Sequence, residues 1–402
     1  MEKIFTVTPG GDPGVIALKV SGVDKLTVNE KGELELVTSL GIVKLTTPVA
    51  YQIIDGQRVA VDIAYEVNGD SYGFKVGDYN YAYPLVIDPL LASTYLGGSG
   101  TEYIYSSIAL DAGGNVFVTG VTNSTNFPTV AGGFSQTRSG TDAYVAKLSA
   151  DFSQLLAGTF FGGSSNDYGY AITVAGSGNA YITGYTNSTN FPSTATSNSG
   201  GYDMFAAKLD GDHLNRIAAT CFGGSGADYA YGIALDSSGN VIAAGYSAST
   251  ISGMTGYQKT LSGSQDGIVV KFSADLSQVL GSTYLGGSGN EQYNAVVVDQ
   301  GGNAYVGGYT NSADYPTTTG ALQTNNFKPG NNQGCVSELS SDLSQLEAST
   351  YLGGTSGTNT IVRAIALDNG GNIYVTGETA DTTSLSPQEP FSWAWPAPTT
   401  AL

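Results

Sequence analysis

Five times along the chain an apolar run, a Gly-Asn turn, a second apolar run and a glycine follow one another. Ser107 to Thr122, SIALDAGGNVFVTGVT, is the first copy, and versions return at Ala171, Gly232, Ala295 and Ala364. Two short apolar runs joined by such a turn predict a pair of antiparallel strands. Three anchors hold the copies in phase. The first is Thr-aromatic-Leu-Gly-Gly, as in Thr94 to Gly98 and Thr283 to Gly287, with Cys221 in the aromatic slot of one copy. The second is the turn asparagine at Asn115, Asn179, Asn240, Asn303 and Asn372, and the third the closing glycine at Gly120, Gly184, Gly245, Gly308 and Gly377. All three recur every 61 to 69 residues.

Each period has room for four strands. In the first they fall near Ser106 to Leu110, Val116 to Val121, Ala143 to Leu148 and Leu155 to Phe161. The first two share the tight turn Asp111 to Asn115, and a long Ser/Thr/Asn/Gly loop separates the second from the third. Four consecutive antiparallel strands repeated in tandem predict an all-β fold of propeller blades. A small residue in the first strand (Ala109, Thr173, Ala234, Val297, Ala366) suits strands converging on an axis. A parallel β-helix is the rival, but its coils are shorter. The first and second strands occur five times and the third four times, which gives four full blades and a partial fifth. Leu91 to Gly97 reads as one more outer strand, able to complete a ring only if a third strand were there to bridge to it. The expectation is a truncated or frame-altered array with exposed edges.

Residues 1–90 lie outside the period and predict a small β-rich domain. Its runs are Val15 to Val20, Leu34 to Val37, Gly41 to Leu45, Val49 to Ile54, Val59 to Tyr65 and Tyr72 to Val76, with hairpin signals at Asp55-Gly56 and Asn68-Gly69. The repeats are assigned to 91–380, and the Pro-rich tail 381–402 is expected to be disordered.

Composition adds that charged residues are only 12%, against 56 glycines and 26 tyrosines, which fits many short strands. A net charge of −19 repels nucleic acid and anionic membrane surfaces. No apolar run is long enough to span a bilayer, and the start Met1-Glu-Lys-Ile lacks the apolar core of a signal peptide. Cys221 and Cys335 take slots held elsewhere by aromatic or aliphatic residues, so both predict buried thiols.

Thr283 to Gly287, Asp299, Gly302 to Val306, Gly308 and Asp314-Tyr-Pro-Thr317 together resemble the bacterial SBBP-type β-propeller repeat; Asn126-Phe-Pro-Thr129 and Asn190-Phe-Pro192 are the same closing element in two other copies. Pro9 to Pro13, Pro48 to Gln52 and Leu85 to Pro89 are similar to the β-rich domain that often precedes those repeats. The resemblance implies a secreted or cell-surface protein without an established catalytic activity, whose first residue here falls inside the leading domain.

Candidate binding chemistry comes from the acids before each first strand, Glu102, Asp167, Asp228 and Glu291, with Tyr103, Tyr168 and Tyr229 directly after three of them. On one propeller face these could ring the axis and bind a glycan or protein, and the four acids could hold Ca²⁺; otherwise each acid caps its own turn. Asp142, Asp203, Asp266 and Gln333, with Lys147, Lys208, Lys271 and Glu338 five residues on, recur once per blade and argue for structure. The Asp-x-x-Gly-Asn turn lacks the remaining ligands of a calcium loop. The single histidine, His213, is aligned with Phe152, Leu276 and Leu343 as a packing residue, which leaves no base for a Ser-His-Asp site. These readings add up to a noncatalytic scaffold binding a protein or glycan through blade loops, with no resident cofactor other than possible calcium. The alternatives are a propeller-based carbohydrate-active enzyme, which needs two carboxylates facing one cleft, and a calcium-stabilised repeat.

Overall fold

The computed structural model describes residues 5–39, 41–88, 94–105, 108–150, 152–354 and 359–380. Ser106, Ser107, Leu91 to Ser93 and the tail 381–402 lie outside them. Among the described residues, every regular element apart from one short 3-10 turn, Pro13–Val15, is a strand. By its internal contacts the chain divides into two compact units, Met1–Tyr95 and Leu96–Leu402.

The first unit holds three antiparallel sheets. One orders Phe5–Val7, Leu85–Asp88, Val49–Ile54 and Gln57–Val61; a second Leu18–Lys19, Ser71–Val76 and Ile63–Asn68; a third Lys25–Val28, Leu34–Thr38 and Gly41–Leu45. Asp55 (φ 49°) and Gly56 (φ 78°) form the mirror-image turn that matches strand twist, as their Asp-Gly sequence predicts. The run Val59 to Tyr65 is not one strand: it breaks at Asp62 into the ends of two, which belong to different sheets. Leu34, Ala50, Tyr65, Phe74, Leu85 and Ile87 form the core.

The second unit contains the predicted array. Four sheets run in simple meander order, innermost strand first: Asp167–Val174, Ala180–Thr186, Asp203–Leu209 and Arg216–Phe222 make the second blade, and the third and fourth repeat it from Asp228 and Glu291. The first blade differs only in its inner strand, which is split into Glu102–Tyr103 and Ile108–Leu110. The fifth has two strands, Thr360–Leu367 and Ile373–Thr379. Residues 94–97 form no strand, and Tyr95 is fully exposed, so this stretch does not act as an outer strand.

Blades pack face to face through apolar seams. Phe117, Val145 and Phe161 of the first blade meet Ile182, Phe191 and Phe205 of the second, and Met204, Ala206 and Tyr181 of the second meet Val241, Ile268 and Tyr284 of the third. A main-chain bond clasps each seam beside these contacts. The N–H of Asp167, Asp228, Glu291 or Thr360 donates to the carbonyl of Thr141, Tyr202, Gln265 or Asn332 in the preceding blade, at 2.7 to 3.1 Å.

Candidate functional site

The inner strands of the second to fifth blades each carry a β-bulge, and the bulge builds the site. Pairing with the second strand shifts by one residue between Gly169 and Ala171, Ala230 and Gly232, Tyr293 and Ala295, and Val362 and Ala364. The extra residues are Tyr170, Tyr231, Asn294 and Arg363, which the bulge aims off the alternating faces of the strand. Together with Gln292 and Tyr105, which lies in the break of the first inner strand, they line one cavity of about 610 Å³. All five blades contribute, so the inner strands do converge on a common centre. The closing glycines exist because of the bulge. A Cβ on Gly184 would lie 1.7 Å from the Tyr168 carbonyl oxygen, and on Gly245 1.8 Å from that of Tyr229.

Tyrosines spread outward from the cavity. The rings of Tyr105 and Tyr170 stack with centroids 4.1 Å apart and 9° between planes, and Tyr185 stacks on Tyr229 at 4.0 Å. Tyr103, Tyr168, Tyr202, Tyr231 and Tyr246 join them through further stacked or edge contacts. Burial pushes the hydroxyls of Tyr185 and Tyr231 far above their ordinary range, so both remain protonated donors. At the fourth and fifth blades the lining turns polar. Asn294 Nδ2 donates to Val362 O at 2.8 Å, Tyr309 donates to Gln292 Oε1 at 3.3 Å, and Arg363 Nη2 holds Glu378 Oε1 at 2.5 Å.

The candidate residues therefore separate. Tyr103, Tyr168 and Tyr229 belong to the tyrosine cluster around the cavity, whereas Glu102, Asp167, Asp228 and Glu291 do not line it. Asp167 is buried and accepts from Thr186 and Ser188 hydroxyls and from Gly163 N at 2.7 Å. Asp228 accepts from Ser247, Ser249 and Gly224 N, and Glu291 from Thr310, Ser312 and Gly287 N. Glu102 repeats the pattern with Thr122 and Ser124. Each acid thus ties the Gly-Gly turn to the end of its own second strand. No group of three or more His, Cys, Asp or Glu side chains able to hold a metal occurs among the described residues.

Asp142, Asp203 and Asp266 lie across the seams from those acids. A Cβ on Gly223 would sit 2.5 Å from Asp203 Oδ1 and 2.8 Å from Asp228 Oδ2, so the two carboxylates face each other over this glycine. Burial, with the neighbouring carboxylate adding to it, pushes Asp142 and Asp203 up to about 7. The lysines five residues on point elsewhere: Lys147 pairs with turn Asp111 at 3.2 Å and Lys271 with Asp236 at 2.9 Å. His213 does not occupy the packing slot. Leu214 does, buried with φ 60°, where Phe152, Leu276 and Leu343 stand at φ 56° to 63°: the turn is as long as the others, but Leu214 N–H reaches back to Asp210 O, which puts the left-handed residue one position later. Cys221 and Cys335 are buried free thiols opposite Phe205 and Tyr351.

The residues that line the axial cavity are not among those that the sequence singles out. Their signal was present: a glycine in the middle of an otherwise apolar strand marks a bulge on its partner, and counting three from each acid lands on Tyr105, Tyr170, Tyr231, Asn294 and, from Thr360, Arg363.

Comparison with known proteins places this geometry in context. The description "Beta-propeller repeat" (SBBP) matches residues 93–128, 151–192, 281–316 and 349–382, and "Domain of unknown function (DUF7948)" matches residues 1–90. No curated protein matches the chain. Similar solved structures include a gluconolactonase from Xanthomonas campestris, at 13% identity over 83% of each chain with a TM-score of 0.34. The Dos1 propeller, at 13% identity, is covered to 90% by 93% of this chain, with a TM-score of 0.33. An apocarotenoid oxygenase from Synechocystis, at 9% identity, is covered to 85% by 92% of this chain, with a TM-score of 0.35.

Proposed function

We propose, for what is an SBBP-type β-propeller repeat protein with a DUF7948 domain ahead of its repeats, a noncatalytic binding function in which the axial cavity and its tyrosine rim take a glycan. The observation that carries this reading is the cavity lining itself: three tyrosine rings, two amides and one guanidinium, converging from five blades. Flat aromatic faces pack against the C–H faces of sugar rings, while amides and phenol hydroxyls exchange hydrogen bonds with sugar hydroxyls. Hydrolytic chemistry would call for a pair of carboxylates in the cleft, and the residues lining this one include none. An exported or cell-surface location accords with the repeat family. No helix among the described residues is long and apolar enough to cross a membrane.

Titration calorimetry with a panel of soluble oligosaccharides tests the reading. At least one member binds saturably, and Tyr170→Ala weakens it about tenfold. Binding that is indifferent to both Tyr105→Ala and Tyr170→Ala removes the cavity as the site.

A further inference from the structure

The polar side of the axial cavity is hydrogen-bonded in one direction. Asn294 Nδ2 donates to Val362 O at 2.8 Å, and because a main-chain carbonyl can only accept, this bond fixes which end of the Asn294 amide is which. The Asn294 oxygen then accepts from Gln292 Nε2 at 2.7 Å, which orients the second amide and turns Gln292 Oε1 to the Tyr309 hydroxyl at 3.3 Å. Both amide oxygens are thus engaged within the wall. Each amide nitrogen has a second N–H to offer.

Arg363 brings the one cation among the described residues that line the cavity, and no carboxylate stands among them. Its Nη2 holds Glu378 Oε1 at 2.5 Å, but a guanidinium has five N–H groups in a planar fork, so one carboxylate oxygen does not exhaust it. The rest of the lining is Tyr105, Tyr170 and Tyr231. Burial pushes the hydroxyls of Tyr105 and Tyr231 far above their ordinary range, so neither puts a phenolate into the cavity. In a chain of net charge −19, this lining carries a positive charge and a surplus of donors.

We propose, on the strength of the glycan reading of this same cavity, that the sugar it takes is acidic: a uronate whose carboxylate lies on Arg363 and the Gln292 and Asn294 N–H groups while its ring packs on the tyrosines. A cation and a row of donors match a group that only accepts, and the bonds they make to it are charge-assisted. A neutral hydroxymethyl offers a weaker acceptor and a proton to place. One guanidinium serves one carboxylate, and the negative charge of the whole chain opposes a polyanion, so the fit is to a single uronate rather than a run of them. Glu378 competes for the same guanidinium.

Titration calorimetry of the full 402-residue protein with matched disaccharides is the test. The probes end in glucuronate, galacturonate or mannuronate, each beside the neutral disaccharide with a hydroxymethyl group in place of the carboxylate. At least one uronate binds about tenfold more tightly than its neutral counterpart, the margin of a charge-assisted bond over a neutral one. Arg363→Gln takes that ratio to about one, and Arg363→Lys, a point charge without the fork, leaves it part-way. Glu378→Gln removes an exposed competitor from outside the lining, raises uronate affinity about threefold and leaves neutral binding where it was. This variant still reports if those at Arg363 fold poorly. Neutral disaccharides that bind as tightly as their uronates, or that bind alone, overturn the uronate assignment and leave the glycan reading standing. Failure of both members of every pair, together with the wider oligosaccharide panel, removes both. A uronate preference that survives Arg363→Gln and ignores Glu378→Gln puts the carboxylate elsewhere and overturns the assignment as well.

Discussion

Four seams join the five blades with one backbone design, yet three are filled differently from the fourth. Asp142 faces Asp167, Asp203 faces Asp228 and Asp266 faces Glu291, all buried; at the last seam the same places hold Gln333 and Thr360. The clasp from Thr360 N to Asn332 O, at 3.0 Å, is preserved there. The architecture therefore does not require paired carboxylates. It tolerates them because serine and threonine hydroxyls and glycine N–H groups surround the inner-strand member of each pair. Glu102 shows the other side of this: with hydroxyls of Ser124 and Thr122 and the N–H of Gly98 outweighing its partial burial, its carboxyl is held below the usual range, whereas burial raises Asp167, Asp228 and Glu291.

The comparison can be broken most forcefully at the glycine between the pair. Gly223→Ala drives a methyl against both carboxylates and costs about 3 kcal/mol. Gly353→Ala, 1.6 Å from Gln333 Nε2, displaces the end of a flexible side chain and costs about 1 kcal/mol. Chemical denaturation of the two variants gives the ratio, and equal costs would erase the distinction between seams. Next in size, the double variant Gln333→Asp, Thr360→Asp installs a pair in the neutral seam. It lowers stability by about 2 kcal/mol at pH 8 and far less at pH 5.

The wild-type protein carries the same dependence. Asp142 and Asp203 titrate near 7 when folded, against about 4 in an unfolded chain. Between those values the folded state binds more protons, so their contribution is full below pH ~4 and is lost as pH rises through about 7. The melting midpoint is several degrees higher at pH 5 than at pH 8; a flat profile would mean that the seam carboxylates are ordinary ones. Asp203→Asn has the smallest effect, stabilising by about 1 kcal/mol at pH 8 and shrinking the difference between the two pH values.

How much of this could be read from the sequence follows from what recurs locally. The hairpin turns, the four-strand unit and the tyrosines beside the acids were legible because turn residues and strand period act over a few positions. Phe5–Val7 and Lys25–Val28 were missed because three or four residues carry too little pattern. The acids' destination was harder. Period-two alternation says that Asp167 and Tyr168 point opposite ways, but not which way is the seam, and the bulge at Tyr170 resets the alternation halfway along the strand. His213 aligns by count with Phe152, Leu276 and Leu343 because its turn is as long as theirs, and that the left-handed residue comes one position later, at Leu214, is visible only in coordinates.

Because Tyr170, Tyr231, Asn294 and Arg363 sit on bulges and Tyr105 in the break of its strand, these five axial side chains lie outside the ladders that hold their blades together. Tyr, Tyr, Tyr, Asn and Arg occupy equivalent places with the same glycine beneath each of them. Wall and lining are thereby uncoupled, and the chain works like a five-position combination lock. Any one dial can turn to a new residue while the housing stays as it is.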